Sequence, residues 1–161
     1  MEDLVRQLLE FMTIELTVLL TAALPVIEVR GAIPIGISLG LSPLNAALIS
    51  FIGSMIPVPI IFFAVRPVFD YLRSTRLFKK MVNRIIKKSL SKSDKVQKYG
   101  AWGLVLFVGV PLPGTGVWTG TLIAALLDIR FKWAIWAISL GNLLAALAVT
   151  GLSSGIIRVM S

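Results

Sequence analysis

The chain has 161 residues, of which 57% are hydrophobic and only 15% charged, with a formal net charge of +8. Soluble domains carry about a quarter of their residues as charges, so this composition describes an integral membrane protein, and its length fits one domain. There is no cysteine and no histidine, which excludes disulfides, thiolate metal sites, Cys or His nucleophiles and imidazole relays.

The chain opens on acidic Met1-Glu2-Asp3, without the basic leader of a secretory signal. Leu4, Leu8, Leu9, Phe11 and Met12 recur at helical spacing against Glu2, Asp3, Arg6 and Glu10. Residues 1–13 are therefore predicted as a short amphipathic helix at the interface, although the same spacing describes the start of the first hydrophobic helix.

Residues 14–65 form the first hydrophobic block. At its centre stands Leu24-Pro25-Val26-Ile27-Glu28-Val29-Arg30-Gly31-Ala32-Ile33-Pro34. A carboxylate or guanidinium costs at least ~2.5 kcal/mol at bilayer depth, so Glu28 and Arg30 should face protein or water and serve function. Pro25 and Pro34 each remove a backbone donor, and Gly31 lets the chain bend. Residues 14–41 are enough to cross a ~30 Å core once but not twice. The reading is a broken, re-entrant hairpin meeting at Glu28 and Arg30; the plainer reading is a kinked helix with a mutually neutralised pair. Ser42-Pro43-Leu44-Asn45 marks a turn. A full span follows over 46–65, with small residues at Ala46, Ala47, Ser50, Gly53 and Ser54 for close helix approach and a kink predicted at Pro57 and Pro59.

Residues 66–100 hold eleven of the sixteen Lys and Arg residues. Leu77, Phe78, Met81, Val82, Ile85 and Ile86 lie on one helical face and Lys79, Lys80, Arg84, Lys87 and Lys88 on the other. This predicts a basic amphipathic linker helix docked on the membrane, on the cytoplasmic side by the positive-inside bias. Nucleic acid is not the expected partner; membrane lipids are.

Residues 101–161 repeat the order of elements. A second broken segment, Val110-Pro111-Leu112-Pro113-Gly114-Thr115-Gly116-Val117-Trp118-Thr119-Gly120, precedes another span over 133–157 with Gly141-Asn142 inside it. At an offset of 88, Pro25 matches Pro113, Val29 matches Val117, Ile35 matches Ile123 and Gly53 matches Gly141. A hairpin plus a span makes an odd number of crossings, so the second copy is inverted. The predicted fold is an all-α integral membrane protein of two inverted repeats, each a re-entrant hairpin plus a transmembrane helix. It belongs in the inner or plasma membrane as a multi-pass protein, with both termini opposite the linker.

Half-helix ends in a membrane cavity present partial charges and unbonded backbone groups. Gly114, Gly116 and Gly120 would offer amides, and Thr115 and Thr119 hydroxyls. Arg30 could hold an anion bidentately. Glu28, between a desolvating membrane and a guanidinium, is a candidate proton carrier. The candidate substrate or ion site is Glu28, Arg30, Gly31, Pro34, Pro113, Gly114, Thr115, Gly116, Trp118 and Asn142, with Pro25 and Pro111 as breakers. For Asn142 an interhelical hydrogen bond is the simpler role.

Glu28-Val29-Arg30-Gly31-Ala32-Ile33-Pro34 together with Pro111-Leu112-Pro113-Gly114-Thr115-Gly116 resembles the putative small multidrug export protein family, a distant relative of the DedA-like membrane proteins. The resemblance covers essentially the whole chain. It implies inverted hairpin-plus-helix repeats and transport, with DedA-like relatives linked to a polyprenyl-phosphate carrier and the proton-motive force. The arginines of the DedA-like second hairpin are absent here, where Thr115 and Trp118 stand. The expected function is proton-coupled transport of a small amphiphile or lipid-linked phosphate. The alternatives are a small multidrug-type cation exporter, and an accessory subunit or pore. No nucleophile–base pair or metal cluster is visible, so an enzyme is not expected, and no cofactor is implied. A homodimer is the assembly this reading allows.

Overall fold

A computed structural model describes residues 2–161. It is helical, with no strand among the described residues. The helices are α1 (Glu2–Ala23), α2 (Glu28–Ser38), α3 (Pro43–Met55), α4 (Pro57–Ser74), α5 (Lys79–Ser91), α6 (Asp94–Tyr99), α7 (Ala101–Gly109), α8 (Val117–Leu126) and α9 (Phe131–Met160). Pro43–Ser74 and Phe131–Met160 are long and apolar enough to cross a membrane. With the apolar composition, they mark a membrane protein. By contact the chain forms two compact units, Met1–Ile56 with Leu143–Ser161, and Pro57–Asn142.

In the first unit α1 runs unbroken. No proline or glycine interrupts residues 2–23, and the hydroxyls of Thr13, Thr17 and Thr21 donate to the carbonyls one turn back at 2.7, 2.8 and 2.6 Å. The acidic opening and the apolar run are thus one helix. Its packed part is short. Only Val18 and Ala22 are buried, against Ala32 of α2, Leu41 and Ala46 of α3. α2 folds back on α1: a side chain at Gly36 would meet Val18 at 3.3 Å and Ala46 at 3.0 Å. The other face of α2 puts Val29 and Ile33 against Ala145, Ala146 and Val149 of α9.

The end of α2 shows why the chain turns there. Gly40 takes φ +99°. Leu41 N–H then reaches back to the Gly36 carbonyl at 3.0 Å, and Gly40 N–H to the Ile37 carbonyl at 3.1 Å. This is the Schellman closure, which satisfies carbonyls that a helix end leaves open. The predicted turn at 42–45 is the start of α3: Ser42 accepts from Asn45 N–H at 3.3 Å, and Pro43 takes the first helical position. Farther along, Gly53 lies directly on the Leu19 carbonyl of α1.

At the predicted kink, the helix is interrupted at Ile56, between α3 and α4. Its torsions stay helical, at φ −56° and ψ −47°. What is lost is hydrogen bonding, since Pro57 and Pro59 cannot donate to the carbonyls one turn back.

In the second unit α5 is the predicted basic helix. It buries Val82 and Ser89 and leaves Phe78, Met81 and Ile85 exposed. α6 turns through Gly100, at φ +59°, onto α7, where Gly103 rests on the Lys95 carbonyl. α7 and α8 pair through Gly120, where a Cβ would meet Val108 at 2.5 Å. Gly141 of α9 lets that helix approach α7, with the Val105 carbonyl 2.7 Å from the place of a Cβ. The end of α8 closes as α2 does. Ile129 N–H bonds the Ala124 carbonyl at 3.0 Å and Asp128 N–H the Ala125 carbonyl at 3.5 Å, with Asp128 at φ +60°.

The offset of 88 therefore carries backbone structure as well as residue identities. It takes Gly36, Gly40 and Leu41 to Ala124, Asp128 and Ile129. It takes the first residue of α3 to the first residue of α9, and Gly53 to Gly141, each glycine seated on the first arm of the hairpin before it.

Because the carbonyls under Gly53 and Gly141 belong to backbone that cannot step aside, Gly53→Val and Gly141→Val should each destabilise by ~1–3 kcal/mol or more. A Cβ at Gly151 meets nothing, so Gly151→Val should leave stability nearly unchanged. Thermal melts of the purified variants in one detergent check this; equal losses at all three sites would refute the packing account.

Candidate functional site

The first group of predicted residues sits where α1 gives way to α2. Leu24 N–H bonds the Thr21 carbonyl at 3.2 Å, and Glu28 N–H the Leu24 carbonyl at 3.2 Å, so residues 24–27 form a tight connection. Pro25 is exposed in it. Glu28 opens α2 at φ +48° and is only 5% exposed. A non-glycine residue in this region costs roughly 1–2 kcal/mol, and so does not persist without support from its surroundings.

Arg30, two residues on, is half-buried and within electrostatic reach of the Glu28 carboxylate. Gly31 follows, bonding the Ile27 carbonyl at 2.9 Å. Pro34 is exposed and removes the amide that would otherwise bond the Arg30 carbonyl. One short helical segment thus brings Glu28, Arg30 and Gly31 together, with Pro34 acting on it through the backbone.

The second group forms the connection between α7 and α8. Pro111, Pro113 and Gly114 are exposed, Thr115 and Trp118 half-buried and Gly116 buried. Gly114 has φ +77° and Gly116 φ +145°. Thr115 is the clasp of this turn. Its hydroxyl donates toward the Val110 carbonyl at 2.9 Å and the Leu112 carbonyl at 2.8 Å, while its amide bonds Leu112 at 3.2 Å. The hydroxyl expected to meet a ligand is therefore spent on the loop itself, and only its oxygen lone pairs face outward chemistry. Trp118 lies on the first turn of α8. Asn142 is buried in α9, next in sequence to Gly141 where α9 presses on α7.

The offset of 88 lays Glu28 over Gly116. Each is the positive-φ residue at the entry to the second arm. The second hairpin has glycine there, at φ +145°, where only glycine is at ease; the first has a buried glutamate at φ +48°.

Two features went unread in the sequence. Arg66 of α4 forms an ion pair with Asp128 and donates from Nε and a terminal nitrogen to the Ala125 carbonyl at 3.2 and 3.0 Å. It ties α4 to the end of α8, beside a cleft of about 430 Å³ lined by Phe62, Phe63, Arg130 and Phe131. The signal was available: Asp128 stands where the first half has Gly40. The other is Lys92, at the end of α5, whose ammonium lies against Gly114. Nothing in the spacing of the linker pointed to that contact.

Residues 28–148 match the model of a family described as putative small multi-drug export protein. No curated protein and no solved structure matches the chain.

Thr115 supplies a prediction. Thr115→Val keeps the shape and removes the clasp, leaving a loop carbonyl with one bond fewer, and should cost ~1 kcal/mol of thermal stability. Thr115→Ser should retain most of it. A Thr115→Val protein as stable as wild type would show that the turn holds without the hydroxyl.

Proposed function

The chain belongs to this export-protein family, and from that premise we propose that it is a proton-coupled membrane transporter for a small amphiphile or a lipid-linked phosphate. Glu28 is the coupling residue. Translocation runs past the broken segment that holds it. The observation that carries this reading is the exchange of glycine for glutamate at corresponding backbone positions. A buried carboxylate is held in a conformation that costs free energy and that glycine would adopt without cost.

Helix length supports a re-entrant second hairpin. α7 and α8 have 9 and 10 residues, which at 1.5 Å per residue is ~14–15 Å, half of a ~30 Å core; in the first hairpin α2, with 11 residues, is half-length, while α1, with 22, is long enough to cross. Trp102, near the start of α7, pairs edge-on with Trp136 of α9, and Trp133 packs on Trp136 (centroids 5.4 and 6.5 Å). Exposed tryptophans at one end of a membrane protein mark the interface. From that level the turn at 110–116 lies about halfway across. The paired helix ends and glycines at the offset of 88 support two repeats, inverted as the parity of crossings requires, with a more distant kinship to DedA-like proteins. The basic linker, with Arg130 and Lys132, then faces the cytoplasm.

The family description also supports a second reading, export of lipophilic cations. In that case Glu28 would balance the charge of the cargo rather than carry a proton. Neither reading includes a catalytic step.

Two experiments test this. In proteoliposomes with an imposed pH gradient, Glu28→Gln should lower gradient-driven movement of fluorescent short-chain phosphate lipid at least ten-fold while the protein stays folded. Arg30→Lys should also impair it, since an ammonium lacks the planar fork. Full transport by folded Glu28→Gln would end the proton-carrier reading. For topology, single cysteines at Ser91 and Ser161 should react with impermeant reagents from opposite faces, and one at Gly116 should react poorly with bulky reagents from either. Labelling of Ser91 and Ser161 from the same face would overturn the arrangement.

A further inference from the structure

The second hairpin has no cation in its own turn, from Val110 to Gly116, yet the fold brings one to it. Lys92 Nζ sits against Gly114 so closely that any side chain at 114 would have to displace it. The lysine is placed by a built junction. Ser93, fully buried, donates to the Leu90 carbonyl at 2.6 Å and accepts from Gln97 Nε2 at 2.7 Å. That fixes the α5–α6 corner from which Lys92 projects.

The corner and the hairpin turn share a cleft of about 370 Å³. Its polar wall is Lys92, Asp94, Lys95 and Thr115, and its apolar wall is made by Leu106, Phe107, Val110, Leu112 and Pro113. Two ammoniums against one carboxylate leave the polar wall net positive. Among the described residues Lys92 has no ion-pair partner.

We propose that this cleft is a binding site for an anionic amphiphile, its phosphate or carboxylate head on Lys92 and its chain along Leu106, Phe107 and Leu112. A lysine ammonium is a compact charge suited to a phosphate head. A small inorganic anion would leave the apolar wall unused, and a lipophilic cation would meet the wrong charge. The glycine at 114 keeps the approach open: with a side chain there, the ammonium could not reach the turn. This selects the anionic class among the substrates considered for transport, and it rests on the transport reading only for the steps after binding.

The test is equilibrium binding to the purified full chain in phosphatidylcholine nanodiscs, separate from any transport assay. The probes are dodecyl phosphate, inorganic phosphate and dodecyltrimethylammonium. Dodecyl phosphate should bind at least ten-fold more tightly than either of the others. Lys92→Gln should lose about ten-fold in that affinity with unchanged thermal stability. Lys92→Arg should keep most of it, and Lys88→Gln, one turn earlier on the exposed face of α5, should match wild type. Equal affinity of Lys92→Gln and wild type, preference for the ammonium amphiphile, or equal binding of inorganic phosphate would each overturn the proposal. A protein that binds dodecyl phosphate through Lys92 but moves nothing in proteoliposomes would refute transport and leave this site standing.

Discussion

A helix that ends must find partners for the backbone groups its last turn leaves open. This constraint organises both halves of the chain. α2 and α8 end in the same reciprocal closure, through Gly40 and Asp128. The α7–α8 turn returns its carbonyls to Thr115, and the α1–α2 connection closes on itself through Leu24 and Glu28. Where the demand is for positive φ, glycine meets it at 40, 100, 114 and 116. The exceptions, Glu28 and Asp128, hold carboxylates that have work elsewhere. Asp128 grips Arg66, and Glu28 is the charge at the centre of the proposed site.

Close approach is the second requirement. Gly53 and Gly141 let one helix sit directly on the backbone of another, which brings van der Waals contact where the hydrophobic effect gives no preference for protein over lipid. The two glycines were visible as a pair in the sequence only because the halves align at a constant offset. The structure gives that alignment a physical content: each is the point at which an arm is clamped.

Much of this architecture was legible in the residues. The loop at Pro111–Gly116, the interruption ahead of Pro57 and Pro59, the basic helix and the long span of α9 all follow from local rules about donors, torsions and period. The first break is narrower than its prolines imply: it occupies residues 24–27, and α2 runs on through Gly31 and Pro34. What was not legible depends on the path of the chain between elements. The unbroken α1 shows that a change from amphipathic to apolar composition is not a helix boundary when no residue breaks the backbone. Lys92 reaching Gly114, and Arg66 reaching Asp128, join residues 22 and 62 positions apart, and charge patterning along one helix cannot report such contacts. Thr115 was recognised as functional for its hydroxyl, but its geometry makes it a clasp.

The burial of Val29 and Ile33 against Ala145, Ala146 and Val149 has a consequence for biogenesis. The first hairpin leaves the ribosome with one face covered by α3 and the other bare, and the residues that cover it are synthesised more than a hundred positions later. At ~5–20 residues per second the bare face waits on the order of ten seconds, and for that time lipid or an insertion chaperone must stand in for α9. The hairpin that holds Glu28 is therefore completed late, by a helix made more than a hundred residues after it.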